Sequence, residues 1–293
     1  MHFLNQISRR DMLTDLAGLY SLVFAGSAFD MFGSGISRTY KISACDWSIG
    51  KRNDPAAIEY GKLLGLDGVQ VSLGSVANNM HLRQKDIQDI YNQSSAKTGI
   101  RISGIAIGEL NKVPYKSAPE TEQWVSDSID VAKAMNCKVI LLAFFENGDL
   151  LDDNAGQEEV IRRLKKVVHK AEDLGITLGI ESWLNARQHL EIIHEIGSKN
   201  VRVYYDLANS QLKGYDIYDE LEKLGSEYIC EIHAKENGFL LGRGKIDFPR
   251  VKEILDSINY QGWVVIEGAL PKGADLTESY LANVKFLRTT LNV

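Results

Sequence analysis

From Tyr40 onward the chain alternates between two patterns. Short runs that are almost wholly apolar are followed by longer stretches in which apolar residues recur every three or four positions. The first pattern belongs to strands buried on both faces, the second to helices with one apolar stripe. Eight apolar runs begin near Tyr40, Gly68, Arg101, Val139, Thr177, Val201, Tyr228 and Gly262. The intervening and final stretches predict helices over 55–64, 85–98, 120–135, 157–174, 189–196, 217–224, 249–258 and 276–291. Gly65 and Gly175 follow two of these stretches, where a helix C-terminus calls for the left-handed conformation that glycine adopts without strain. Eight strand–helix units whose strands start 24 to 38 residues apart predict an α/β fold in one domain: a (β/α)8 barrel of the TIM type. No glycine-rich dinucleotide fingerprint follows the first strand, which counts against an open doubly wound sheet.

Four of the apolar runs close on a residue that can bind a metal. These residues are Glu181, Asp206, His233 and Glu267, separated by 25, 27 and 34 positions. In a closed barrel all strand C-termini face one end, and that end carries the active site. Consecutive units would therefore deliver three carboxylates and one imidazole to a common point. One strand-end carboxylate alone reads as a helix cap or a salt-bridge partner. Four in succession at the same place in their units read as a divalent-metal site, and so as an enzyme.

The first 37 residues follow a different pattern. Ser8, Arg9, Arg10, Asp11 and Met12 precede an uncharged stretch from Leu16 to Phe29 that ends in the small residues Ala25 to Ala28. This resembles a twin-arginine export signal and predicts recognition by that machinery, with cleavage and an exported or periplasmic mature protein covering 38–293. The uncharged stretch is too short for a comfortable membrane span, so no stable anchor is expected. The alternative is an extension on a cytoplasmic enzyme.

Composition narrows the choice further. The net charge of −6 argues against a nucleic-acid partner, because phosphate binding needs clustered Lys and Arg. The 3 cysteines, Cys45, Cys137 and Cys230, lack metal-ligand spacing and cannot all pair within one chain. Cys137 and Cys230 read as buried thiols. Cys45, near the end of the first strand, is placed to face the pocket. A homo-oligomer is compatible with the sequence.

The segments around Glu181, around Asp206 to Asn209, around His233 to Glu236, from Leu241 to Phe248, and Ile266 with Glu267 together resemble the xylose isomerase-like barrel superfamily over about residues 40–293. Its members include sugar isomerases, ketose 3-epimerases, inosose dehydratases and the endonuclease IV family. The resemblance implies one divalent ion held by Glu181, Asp206, His233 and Glu267. Three oxygens and one nitrogen suit Mn²⁺, Mg²⁺ or Co²⁺, with Zn²⁺ also compatible. It implies isomerisation or epimerisation of a small carbohydrate by proton abstraction next to a carbonyl through a metal-stabilised enediolate. Glu181 and Glu267 would be the catalytic pair, with Asp206 and His233 as ligands only.

The alternative with the same site is a lyase or dehydratase acting on an oxidised (3-keto) sugar, glycoside or cyclitol; a sugar-binding barrel without catalysis is a third. By the same resemblance Trp47 and Trp183 would wall the sugar, and Lys235 and Arg243 would contact substrate oxygens. Asn209 stands where many relatives have His. Gly242 and Gly244 are read as serving backbone conformation. The endonuclease branch needs further histidines at early strand ends, and here the second and third strands end in Ser72 and Gly108 regions without them.

Overall fold

The computed structural model describes residues 40–293. The N-terminal segment, with Arg9, Arg10 and the proposed cleavage region, lies outside the described residues. Eight parallel strands close into a barrel in sequence order. They are β1 Lys41–Cys45, β2 Gly68–Ser72, β3 Arg101–Ile107, β4 Val139–Phe144, β5 Thr177–Ser182, β6 Val201–Asp206, β7 Ile229–Ala234 and β8 Trp263–Ile266. β1 pairs with β8 from Lys41 opposite Trp263 to Ala44 opposite Ile266, which completes the ring.

The predicted barrel is therefore the observed fold, with strand starts within one residue of those read from the apolar runs. Around it lie α1 Ala56–Leu63, α2 Lys85–Thr98, α3 Glu120–Ala134, α4 Asn154–Leu174, α5 Ala186–Ile196, α6 Leu207–Leu212, α7 Ile217–Tyr228, α8 Phe248–Ser257 and α9 Leu276–Leu291.

Two helices begin earlier than their apolar periodicity indicates, because side-chain caps rather than hydrophobic spacing set their first turns. Asp153 accepts from the Gly156 N–H and opens α4. Asn185 and Gln188 form a reciprocal capping box that opens α5 at Ala186. The short helix α6 was not predicted; it follows directly from β6, and Asp206 caps it by accepting from the Asn209 N–H at 2.8 Å. A cap of this kind contributes about 0.5–2 kcal/mol. The predicted end of the next helix at Leu224 falls where Gly225, at φ 59 and ψ 177, breaks the regular turns of α7.

The main apolar core lies between the strands and the helices. α5 shows how: Ala186, Ile192, Ile193 and Ile196 are buried on one stripe, the spacing expected of a helix laid against a sheet. A second, smaller apolar cluster contains Cys45, Ala106, Val139, Leu141, Ala143, Tyr204 and Val265. It comes from β1, β3, β4, β6 and β8, at the alternate strand positions that point into the barrel. Buried in β2, β5, β6 and β7 are the polar residues Gln70, Glu181, Asp206, Glu231 and His233. Barrel interiors are usually filled by branched apolar side chains, and burying a polar group without a partner costs free energy. The polar layer marks where the fold gives up stability for chemistry.

Candidate active site

Glu181 and His233 are the penultimate residues of β5 and β7, Asp206 is the last of β6, and Glu267 follows β8 directly. The barrel brings the four together. One ligand atom from each lies within 4.8 Å of all the others. The histidine presents Nδ1 to the group, 3.0 Å from Glu181 Oε1, 3.5 Å from Glu267 Oε2 and 3.7 Å from Asp206 Oδ2. Ligands about 2.1 Å from a shared cation sit roughly 3–4 Å apart, so these separations fit a common ion.

Asp206 supplies a second sign. Its Oδ1 caps α6, while its Oδ2 is buried with no hydrogen-bond partner. A buried carboxylate oxygen left bare inside three converging acids has the character of a cation ligand.

The two glutamates differ in their surroundings. Glu267 receives the indole N–H of Trp47 at 2.8 Å and the ammonium of Lys235 at 2.9 Å. Burial pushes its carboxyl up, but His233, Lys235 and Trp47 outweigh burial and hold it at about 2. For Glu181 burial outweighs the favourable His233, and with Glu267 and Asp206 it raises the pKa. For His233 burial acts downward, and the surrounding carboxylates Glu181, Glu267 and Asp206 carry it well above the ordinary imidazole value. Burial likewise works to lower Lys235, but Asp206 and Glu267 outweigh it and keep it a cation.

Glu181 and Glu267 of the cluster line a cavity of about 630 Å³. Trp47, Trp183, Asn209 and Lys235 line it, as the sequence predicts. Trp183 meets Phe145 edge-on with centroids 4.9 Å apart, which makes an apolar wall. Lys235 Nζ also lies 3.5 Å from Asp206 Oδ2, so one cation bridges two of the site's acids.

Arg243 is different. It is exposed on the loop after β7 and does not line the cavity. That loop is folded by Glu236, whose carboxylate accepts from the Lys245 and Ile246 N–H groups. A Cβ at Gly244 would lie 1.9 Å from Glu236 Oε2, and one at Gly242, which has φ +73, would lie 2.4 Å from the Phe286 ring. Both glycines thus serve packing and backbone, as the sequence reading has them, and the turn they build carries Arg243 outward.

Cys45 also departs from expectation. It is buried beneath the site and donates to Gln70 Oε1 at 3.3 Å, and it is absent from the cavity wall. Burial pushes its thiol up to about 12, so it stays protonated. The helical histidines make contacts away from the cavity: His189 with Ser182 Oγ and the Asn185 carbonyl, and His194 with the Tyr228 hydroxyl.

Other cavity residues were not singled out from sequence. Arg52, Glu109, Asn111 and Lys112 come from the loops after β1 and β3. Loop polar residues carry no periodic signal, so nothing in the sequence separates these from ordinary surface. Gln70 and Glu231 were also missed, although a polar residue in the middle of an otherwise apolar strand was the signal available for both.

A family model for the xylose isomerase-like TIM barrel matches residues 58–290. The chain belongs to that family. Among curated proteins, this xylose isomerase-like barrel is 25% identical to the D-psicose 3-epimerase of Enterocloster bolteae over 142 residues, 45% of this chain and 46% of that protein. The chain spans about half the length of the curated relatives it matches. Solved structures extend the likeness in fold. The D-psicose 3-epimerase of Clostridium cellulolyticum H10, solved with D-tagatose, superposes with a TM-score of 0.73 at 18% identity, covering 86% of this chain and 99% of that one. The 3-keto-D-glucoside 4-epimerase of E. coli superposes with a TM-score of 0.69 at 17% identity, covering 86% and 100%.

Proposed function

We propose that this family member is a divalent-metal-dependent isomerase or epimerase of a small carbohydrate, acting by proton transfer at a carbon next to a carbonyl. One observation carries the reading: Glu181 and Glu267, which line a cavity of about 630 Å³, converge there with Asp206 Oδ2 and His233 Nδ1. The epimerase names of its relatives point the same way. The spacing of the donors and the Asp206 oxygen that lacks a hydrogen bond fit a cation. Glu181, Asp206, His233 and Glu267 would hold it, with Mn²⁺, Mg²⁺ or Co²⁺ favoured by the oxygen-rich set and Zn²⁺ compatible. A divalent ion bound there supplies Lewis acidity, withdrawing charge from a substrate carbonyl and making the adjacent C–H more acidic.

The protein's own groups do the remaining work. One glutamate takes the proton and the other returns one from the opposite side of the sugar. Glu267 is held for this by the Trp47 N–H and the Lys235 ammonium, which leaves the face of the Trp47 ring, and not its N–H, for the substrate. Lys235 has hydrogens beyond the one given to Glu267 and can donate to a substrate oxygen as negative charge grows on it. Trp183 and Phe145 present ring surfaces for apolar sugar faces and keep water from the reacting carbon.

Elimination from an oxidised glycoside remains the second reading, and the cavity volume favours it. At about 30 Å³ per water-sized group, 630 Å³ exceeds what one sugar ring fills, leaving room for an attached group. Incubating the protein and Mn²⁺ with free keto-sugars and with 3-keto-glycosides separates the two. Isomerisation or epimerisation gives a product of unchanged mass, elimination a smaller one, and no product from either set would sink both.

We also propose export through the twin-arginine route, supported by the Arg9–Arg10 pattern ahead of the uncharged stretch. Changing Arg9→Lys together with Arg10→Lys is expected to trap full-length protein inside the cell. An intact Met1 terminus on cytoplasmic protein of the native host would contradict export.

A further inference from the structure

Beneath the four converging side chains runs a buried chain of polar groups that the reaction itself does not use. His233 turns Nδ1 toward the carboxylates and Nε2 toward the barrel interior, where Nε2 lies 3.1 Å from Gln70 Oε1. The other end of that amide, Gln70 Nε2, donates to the Tyr204 hydroxyl at 3.0 Å. Gln70 is 0% exposed, Tyr204 1% and His233 0%. Opposite Tyr204 on β7 stands Glu231, 1% exposed, and neither of its oxygens has a hydrogen-bond partner among the described residues. Tyr204 also packs its ring on His233, with centroids 4.5 Å apart.

The backbone is shaped for this arrangement. Two strand pairs in the barrel shift register, and one shift falls between Val69 and Gln70, the other between Val203 and Tyr204. Such irregularities re-aim side chains beside active sites. Opposite Gln70 the partner residue on β3 is Gly104, and a Cβ there would approach Gln70 Nε2 to 3.7 Å and the Val139 carbonyl to 3.1 Å.

We infer that Gln70, oriented by Tyr204, is the positioning residue that fixes the tautomer of His233 for metal binding. A neutral imidazole carries one proton. For Nδ1 to offer its lone pair to a cation, that proton must sit on Nε2, and Nε2–H then needs a buried acceptor. Gln70 Oε1 is that acceptor, and the Cys45 thiol donates to the same oxygen.

The amide could serve the opposite tautomer if it flipped. Its NH2 would then face Nε2, the ring proton would move to Nδ1, and the proton would point at the carboxylates in place of a metal. Tyr204 prevents this by accepting from Gln70 Nε2.

This inference rests on reading Glu181, Asp206, His233 and Glu267 as the metal site. The test uses no substrate, so it stands apart from the question of catalysis. Mn²⁺ affinity is measured calorimetrically on metal-stripped full-length protein, together with the Nε2–H proton signal of His233 in the Mg²⁺-loaded, ¹⁵N-histidine-labelled protein.

Gln70→Leu, which keeps the bulk and removes the acceptor, is expected to weaken Mn²⁺ binding about 10–100-fold, the usual effect of losing a partner behind a metal-bound histidine. It should also shift the Nε2–H signal upfield. Gln70→Glu retains an acceptor and should bind within a few-fold of the unaltered protein. Tyr204→Phe, which removes one oxygen and frees the amide to turn, should lose affinity in the same direction but less.

A merely structural role for the chain would lower the melting temperature of Gln70→Leu and leave Mn²⁺ affinity within about twofold; that result overturns the inference. So does unchanged affinity in Tyr204→Phe together with a loss of more than about tenfold in Gln70→Glu, a result that is read even if Gln70→Leu fails to fold. Metal binding that depends on Gln70 in a protein that turns over no sugar would support the inference and refute the proposed reaction alone.

Discussion

Replacing His233 by Ala is expected to weaken divalent-metal binding by more than about 100-fold, and Asp206→Ala to do the same. Loss of a group that merely supports a metal-bound histidine costs about 10–100-fold, and these two changes each remove a direct donor. The consequences for the fold should differ. Asp206 also caps α6 through the Asn209 N–H, so Asp206→Ala adds a stability loss of about 0.5–2 kcal/mol, and Asp206→Asn, which keeps a capping oxygen, should recover stability without recovering metal. His233→Ala leaves Glu181, Asp206 and Glu267 facing one another without their shared imidazole. Elemental analysis after gel filtration checks both variants, and full occupancy in either would remove that residue from the ligand set.

Changing Glu181→Gln or Glu267→Gln is expected to cut turnover by about 10²–10⁴-fold, the usual contribution of general acid–base catalysis, while part of the metal is retained. An amide keeps a coordinating oxygen but takes no proton. The structure distinguishes the two variants. Glu267 already accepts from Trp47 and Lys235, so an amide there can turn its NH2 toward one of these donors and disturb the pocket wall as well as the chemistry. Glu181 has neither contact, and Glu181→Gln is the cleaner removal of a base. Stopped-time assays at saturating Mn²⁺ read the effect, and a variant with near-normal turnover excludes its glutamate as a proton carrier.

The sequence showed the barrel because its evidence is periodic and repeated. Each strand has to be apolar on both faces, and each helix has to carry an apolar stripe; eight repetitions leave little room for another fold. The four converging residues were legible for a related reason, since each polar residue stands where an apolar run stops. Helix starts were less legible. Asp153 and Asn185 set them through side-chain capping hydrogen bonds that leave no mark on hydrophobic spacing.

Arg243 was assigned to the pocket from a resemblance in the loop after β7, and loop direction depends on particular close contacts, here those of Gly242 and Gly244. Cys45 was read as facing the pocket from its place near a strand end, where one residue's shift along the strand separates the cavity from the packed interior below it. Gln70 and Glu231 were in plain view as polar residues in buried strands. What the sequence does not show is that register shifts in two separate strand pairs turn Gln70 and Tyr204 toward each other and toward His233.

The most direct test of the proposed reaction is turnover in D₂O. Protein loaded with Mn²⁺ is incubated with free keto-sugars, and recovered substrate and product are examined by mass spectrometry and proton NMR. Proton abstraction by Glu181 or Glu267 next to the carbonyl predicts an isomeric product that carries solvent deuterium at the carbon whose configuration or oxidation level has changed, with incorporation lost in Glu181→Gln and Glu267→Gln. Interconversion with no deuterium at that carbon would mean that hydrogen moves directly between carbons, and would contradict a glutamate base.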